Sequence, residues 1–187
     1  QLEYSKIFKS KYSVILNITP DHIERHKSFK NYIKAKFRLI DSQSTKSVAF
    51  VKRNDPVIVK KLRSKKYKPK IIKIDTSLQP PIFKKIRNKY FMSSGNRENL
   101  IFVLKICKIL KLNEEKILRT INKFKGLKYR QQIIFDKNYL TIINDSKSTS
   151  IASSENLLKN LKNVYWILCG IPKKGDKFNL TKFQCKN

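Results

Sequence analysis

Six consecutive small polar or charged residues offer an acid, a base and hydroxyls within one short stretch. Residues 139–143 are mostly apolar, and Asn144 is followed by Asp, Ser, Lys, Ser and Thr. Ile and Thr favour a strand, whereas Asn, Asp and Ser favour the turn after it. In open α/β sheets, ligands bind outside the carboxyl ends of the strands. The stretch is therefore predicted to present four side chains to a nucleotide or an anionic substrate: Asp145, Ser146, Lys147 and Thr149.

A second group of reactive residues follows another apolar stretch. It contains Asp21, His22, Glu24 and His26. Carboxylate oxygens and imidazole nitrogens are suitable ligands for magnesium or a first-row metal. The alternative is an exposed polar turn, because short strings of this kind are common. The string alone leaves both interpretations open.

Other polar residues also have two interpretations. Asn96 and Asn99 lie where a helix begins, and helix capping explains such residues as well as ligand binding does. Lys174 lies in a loop with Lys173 and Gly175 that either binds an anion or is simply solvated. Lys147 is suited both to a ligand and to a surface ion pair with Asp145.

The elements that position these residues alternate between strands and helices, which predicts an α/β fold. The predicted strands are residues 12–18, 47–51 and 71–74. The predicted helices are residues 28–40, 57–62 and two within 96–124, the first with a core-facing stripe of Leu100, Val103, Leu104, Cys107 and Leu110. Gly126 ends this part of the chain, so residues 1–126 are predicted to form one domain.

The pattern changes after Gly126. The sequence predicts two strands in hairpin order, residues 132–135 and 139–143. A helix is predicted at residues 153–161 and a further strand at residues 164–169. Strand, helix and strand in this order predict a βαβ unit with parallel pairing and a right-handed crossover. Three elements cannot bury their apolar faces without further elements, so residues 127–187 are expected to be the truncated start of a second domain.

Composition limits the classes of function. The formal net charge is +30, from 43 Lys and Arg against 13 Asp and Glu. Such an excess raises nucleic acid or an anionic membrane as a partner. The lysines are nevertheless spread over almost every segment, and 40% of the residues are hydrophobic. We therefore expect a folded protein that binds neither nucleic acid nor membrane, and the absence of a signal peptide or long apolar run favours the cytoplasm. Because residue 1 is Gln, the chain is expected to begin inside a longer protein.

The order of the motifs resembles the Mur ligase family over almost all 187 residues. The matching segments are residues 1–3, 15–26 with Asp-His-x-x-Arg-His, 32–36, 95–99, 126–130 and 144–149 with Asn-Asp-Ser-Lys-x-Thr. The last motif is most similar to the family members that add D-glutamate. The resemblance implies a central ATPase domain, of which residues 1–126 are the second half, and the start of a Rossmann-like carboxy-terminal domain.

The resemblance also implies a reaction in peptidoglycan precursor synthesis. ATP phosphorylates the carboxylate of UDP-N-acetylmuramoyl-L-alanine, and the amine of D-glutamate attacks the acyl phosphate to form an amide. Catalysis of phosphoryl transfer depends on positioning and charge neutralisation. The implied cofactors are ATP and Mg²⁺, and the full-length enzyme is expected to be a monomer.

Roles for single residues follow from the matched positions. Glu3 and His22 correspond to magnesium ligands near the ATP γ-phosphate. Lys36 matches a lysine that carbon dioxide carbamylates. A carbamate gives oxygen donors to a second magnesium, which an ammonium cannot do. The implied catalytic residues are therefore Lys36 and His22, and the implied metal ligands are Glu3, His22 and Lys36.

The remaining matched residues bind nucleotide or substrate. Asn96 and Asn99 match adenine and ribose contacts, although Gly95 stands where the family has His. The other nucleotide residues are Arg130, Asp145 and Lys147. The implied residues near D-glutamate are Ser146, Thr149 and Lys174.

One family feature does not occur in these 187 residues. The phosphate-binding motif G-x-x-G-K-[ST] is absent from the sequence. We therefore expect no ligase turnover by this chain alone. Two alternatives remain: another ligase of the superfamily, such as a folylpolyglutamate synthase, or a basic nucleic-acid-binding module with salt-sensitive affinity.

Overall fold

The computed structural model describes residue 4, residues 8–20 and residues 23–171. The chain divides into two compact units, Gln1–Pro80 and Pro81–Asn187. Both helices and strands occur in each unit, so the predicted α/β class is confirmed. None of the helices in the described ranges is long and apolar enough to cross a membrane. The domain boundary at residue 126 stays a prediction.

The first unit contains a parallel three-stranded sheet. Its strands are β1 (Tyr12–Ile15), β2 (Val48–Lys52) and β3 (Lys70–Ile74) in the order β1-β2-β3. Tyr12 is paired with Val48, and Val48 with Lys70. Parallel neighbours need crossover connections. The three strands predicted from the sequence are thus confirmed, with β1 ending three residues earlier than expected.

Helices connect these strands. They are α1 (Ile23–His26), α2 (Phe29–Asp41) and α3 (Pro56–Arg63). Ser28 caps α2 by accepting the N–H of Asn31, and Asp55 caps α3. Both starts agree with the sequence prediction. The core between sheet and helices consists of Ile15, Ile18, Tyr32, Phe37, Ile40, Ala49, Val51 and Ile58.

Gln43 ties the end of α2 to the first two strands. Its side chain is 2% exposed and accepts a hydrogen bond of 2.8 Å from the Ser13 hydroxyl. Its amide nitrogen donates to the carbonyls of Ser10 and Val48. A buried amide needs such partners, because an unsatisfied polar group costs about 1–3 kcal/mol.

The second unit begins with 3₁₀ turns at Pro81–Lys85 and Lys89–Met92. Two helices follow, α4 (Ser94–Ile109) and α5 (Glu114–Lys123), and Asn113 caps α5 as predicted. The predicted stripe on α4 is partly wrong. Leu100 is buried together with Ile101 and Phe102, whereas Val103 and Leu110 are exposed. The elements that pack on α4 decide its buried face, and periodicity alone does not include them.

The rest of the second unit is a hairpin and a helix. Strands β4 (Gln132–Lys137) and β5 (Leu140–Asn144) pair antiparallel, with an irregularity between Ile133 and Phe135. Helix α6 (Ile151–Leu158) follows. The predicted hairpin is confirmed.

The predicted βαβ unit is wrong for the described residues. Residues 164–169 pair with no strand in the part of the chain that the structure describes. Tyr165 and Ile167 are 99% and 94% exposed. A strand needs a neighbouring backbone to pair its N–H and C=O groups, and no described strand is paired with residues 164–169.

Candidate functional site

A cavity of about 270 Å³ lies at the end of β1. It is lined by Val14, Ile15, Leu16, Asn17, Lys36 and Leu39, and we call it the strand-exit cavity. Lys36 is half-buried, and its ammonium nitrogen lies 5.0 Å from the centre of the Tyr32 ring. The structure therefore places the predicted catalytic lysine beside the carboxyl end of a parallel strand.

Asp55 holds the chain that leaves this cavity. One of its carboxylate oxygens accepts the N–H of Ile58 at 2.9 Å and so caps α3. The other accepts the N–H of Ile18 at 3.1 Å. Asp55 is 8% exposed. One buried carboxylate thus fixes the backbone directly after Asn17 to the start of a helix.

Only part of the candidate metal-binding segment, residues 23–26, belongs to the described structure. Glu3 and His22 lie outside the described residues. His26 packs its ring edge against Tyr32, with centroids 5.3 Å apart. Within residues 8–20 and 23–171, no three His, Cys, Asp or Glu side chains are grouped to hold a metal. The magnesium set Glu3, His22 and Lys36 stays a prediction, and the Lys36 ammonium itself has no lone pair to offer a metal.

A hydrogen-bonded group in the second unit joins two of the predicted nucleotide residues. The amide nitrogen of Asn96 donates to Gln131 Oε1 at 2.9 Å and to the Tyr90 carbonyl at 2.8 Å. The Gln131 N–H donates to Asp145 Oδ1 at 3.0 Å, and Ser148 Oγ donates to Asp145 Oδ2 at 2.7 Å. With Ser93, these residues form what we call the Gln131 network: Ser93, Asn96, Gln131, Asp145 and Ser148.

The loop after β5 is held by its own backbone and by a neighbouring turn. The Ser146 N–H donates to the side chain of Asn144, and the Ser148 N–H donates to the Asp145 carbonyl. The Lys147 N–H donates to the Tyr129 carbonyl at 2.9 Å. The loop is the predicted strand exit. It presents three side chains at the surface, those of Ser146, Lys147 and Thr149.

The charges of Arg130 and Asp145 both affect the pKa of Tyr90. Burial raises the pKa of the Tyr90 phenol, the positive charge of Arg130 opposes this shift, and the negative charge of Asp145 adds to it. Arg130 is itself exposed. An exposed arginine is suited to binding a phosphate, because its guanidinium presents several fixed donors.

Asn99, the other asparagine predicted to contact the nucleotide, is exposed on α4, one turn beyond Asn96.

A cavity of about 410 Å³ adjoins the Gln131 network. Ser93 and Gln131 line it together with Tyr90, and Ile133 and Leu157 are among its apolar residues. This volume is in the range of small-molecule sites, which combine apolar walls with a few polar groups.

Gly95 lies in the first turn of α4. A Cβ placed on Gly95 has no heavy atom within 4 Å. The place where the resembling family has His is therefore open space, and this chain has no side chain there to contact a ligand.

Three members of the network carry no signal in the sequence. Ser93 and Gln131 belong to none of the candidate sites, and Ser148 stands only at the variable position of its motif. Their roles depend on contacts with residues up to 38 positions away. Lys174 lies outside the described residues, so its predicted contact with D-glutamate stays a prediction.

A protein-family model matches the amino-terminal part of the chain. The model of the Mur ligase middle domain matches residues 1–117. The chain belongs to the Mur ligase middle domain family. The family resemblance of the ordered motifs is thereby confirmed.

The relatives of this Mur ligase chain include proteins named UDP-N-acetylmuramoylalanine--D-glutamate ligase. That of Rickettsia prowazekii is 34% identical over 192 residues, which cover 94% of this chain and 43% of the relative. That of Fusobacterium nucleatum is 32% identical over 188 residues, with the same two shares. The chain spans less than half the length of these relatives.

Solved structures of MurF share the fold. MurF from Acinetobacter baumannii superposes with a TM-score of 0.65 at 17% identity, over 81% of this chain and 37% of that one. MurF from Thermotoga maritima in complex with ADP gives 0.67 at 14% identity, over 86% and 41%. The α/β fold of a Mur ligase is thus shown.

Proposed function

We propose that this Mur ligase chain is the nucleotide-binding and D-glutamate-binding part of an ATP-dependent ligase. The ligase joins D-glutamate to UDP-N-acetylmuramoyl-L-alanine. The substrate carboxylate displaces ADP from the γ-phosphorus and becomes an acyl phosphate. The amine of D-glutamate then attacks the acyl carbon and releases inorganic phosphate and a proton.

The observation that carries the proposal is the Gln131 network. It brings Asn96 and Asp145 together, although they are 49 positions apart in the chain. Both match nucleotide-binding positions of the family, and Arg130 lies directly before Gln131. Because both hydrogens of the Asn96 amide are donated within the protein, an adenine contact by Asn96 uses its oxygen.

The proposal includes a bound magnesium ion, although two of its three proposed ligands lie outside the described residues. When bound, it neutralises phosphate charge during the transfer. Glu3, His22 and a carbamylated Lys36 are the proposed ligands, and Lys36 lies in the strand-exit cavity. Ser146, Lys147, Thr149 and Lys174 are the proposed contacts to nucleotide and D-glutamate.

Nucleotide binding by the 187-residue chain tests the first half of the proposal. We expect a fluorescent ATP analogue to bind, and Arg130→Ala to weaken it about tenfold, the effect of losing one charge-assisted hydrogen bond. Arg63→Ala is the matched control, because Arg63 is also exposed but lies at the end of α3. Equal weakening by both variants shows only attraction to the +30 chain and contradicts the proposal.

A chimaera tests the substrates. The parts of the Rickettsia prowazekii relative that precede and follow the matched region are joined before Gln1 and after Asn187, and phosphate release is measured. We expect release only with ATP, UDP-N-acetylmuramoyl-L-alanine and D-glutamate together, and none from the 187-residue chain alone. Release with a folate substrate instead supports a folylpolyglutamate synthase. Circular dichroism confirms that the chimaera is folded.

A further inference from the structure

Gln131 satisfies two buried groups at the start of α4. Its side-chain oxygen accepts hydrogen bonds from Ser93 Oγ at 2.8 Å and from Asn96 Nδ2 at 2.9 Å. Ser93 and Asn96 are 7% and 8% exposed. A buried donor that loses its acceptor is costly. The Gln131 oxygen and the Tyr90 carbonyl therefore orient the Asn96 amide together.

The backbone of Gln131 makes a second connection. Its N–H donates to Asp145 Oδ1, while Ser148 occupies the other carboxylate oxygen. Gln131 thus contacts α4 with its side chain and the 144–149 loop with its main chain. One residue links the two groups that the family resemblance assigns to the nucleotide.

The conformation of Gln131 is unusual for a residue with a side chain. Its φ is +47°, and that of Tyr129 is +65°. Left-handed backbone costs a non-glycine residue about 1–2 kcal/mol and persists where surrounding contacts compensate. Arg130 lies between these two residues, so the same turn sets the direction in which Arg130 leaves the backbone.

We propose that Gln131 is a positioning residue of the nucleotide site. It holds Asn96 and Asp145 in one arrangement without contacting the nucleotide itself. This inference rests on the proposed function. It implies that removing the Gln131 oxygen weakens ATP binding through Asn96 while every residue assigned to the nucleotide is retained.

Gln131→Met tests the proposal, because methionine has a similar length and lacks the strong acceptor. The matched control is Gln79→Met, since Gln79 is an exposed glutamine of the first unit. Two quantities are measured in the 187-residue chain. The first is the set of NMR resonances of the Asn96 side-chain amide and the Gln131 N–H. The second is the affinity for the fluorescent ATP analogue.

We expect Gln131→Met to shift the Asn96 amide resonances and to lower ATP affinity about tenfold, whereas Gln79→Met changes neither. In a double-mutant cycle, Gln131→Met should have little further effect once Asn96→Ala is present. Because a variant that has lost its structure would mimic this coupling, urea unfolding first establishes that each variant is folded.

Three results overturn the inference: unchanged Asn96 resonances, unchanged ATP affinity, or additive effects in the cycle. If the unsubstituted chain binds no ATP, the proposed function fails instead. The resonances of Asn96 then decide alone whether Gln131 positions that side chain.

Discussion

Two glycines illustrate how single residues depend on their surroundings. Gly126 has a φ of +75°, and a Cβ at this position would lie 2.7 Å from Cε2 of Tyr90. The Tyr90 ring packs against Phe91 and Phe124, with centroids 5.2 and 5.3 Å away. Gly95 is helical and faces open space. Substitution by alanine is therefore expected to change the free energy of unfolding in opposite directions at Gly126 and Gly95.

Gly126→Ala is expected to lower the free energy of unfolding by about 1–3 kcal/mol, from left-handed strain and displacement of the Tyr90 ring. Gly95→Ala is expected to raise it by up to about 1 kcal/mol, because alanine loses less backbone entropy in a helix. Urea unfolding followed by circular dichroism measures both. A Gly126→Ala chain as stable as the unsubstituted one contradicts the described packing.

An ion pair connects the elements of the second unit. The Lys89 ammonium in the 3₁₀ turn lies 2.5 Å from Asp136 of β4, and Thr141 of β5 donates to the same carboxylate at 2.9 Å. The hydrogen bond from Lys89, and to a smaller extent that from Thr141, lowers the pKa of Asp136. A carboxyl with a lowered pKa in the folded state stabilises the fold while it is ionised.

The stabilising effect of Asp136 should therefore be present above its unfolded pKa of about 3.9 and be lost as pH falls through the lower folded pKa. We expect Lys89→Gln to reduce the difference in unfolding free energy between neutral and acidic pH. Lys84→Gln removes an equal charge from an exposed neighbour and serves as the control. The prediction fails if the two variants have the same pH dependence in urea unfolding.

The whole molecule combines high charge with an exposed apolar segment. The net charge is +30, and at residues 164–171 the exposed side chains include Tyr165, Ile167 and Ile171. Exposed apolar segments favour association between chains. Like charges oppose association, but salt screens them, since the Debye length falls from about 30 Å at 0.01 M to about 8 Å at 0.15 M.

We expect association to increase as sodium chloride is raised through this range. Ile167→Lys should suppress it, because a charge then lies within the apolar segment. Val103→Lys adds the same charge at an exposed residue of α4 and should leave it largely unchanged. Light scattering at matched protein concentrations measures association. If both variants suppress it equally, net charge rather than the segment controls it.

Local sequence was sufficient wherever hydrogen bonds close within a few residues. The caps at Ser28, Asp55 and Asn113 each accept the N–H three residues later, so the starts of α2, α3 and α5 were predictable. The hairpin of β4 and β5 and the loop of residues 144–149 were predictable for the same reason. The order of the motifs was also sufficient for the family.

Contacts between distant residues were decided only by the tertiary structure. Gln131 joins Asn96 and Asp145 across 35 and 14 positions, and nothing in its neighbours indicates either bond. Val103 fits the apolar period of α4, yet none of the described elements buries it. Residues 164–169 have strand composition without a paired strand among those described. Propensity and periodicity describe what a segment is able to form. Burial and pairing also require a partner, which only the folded chain supplies.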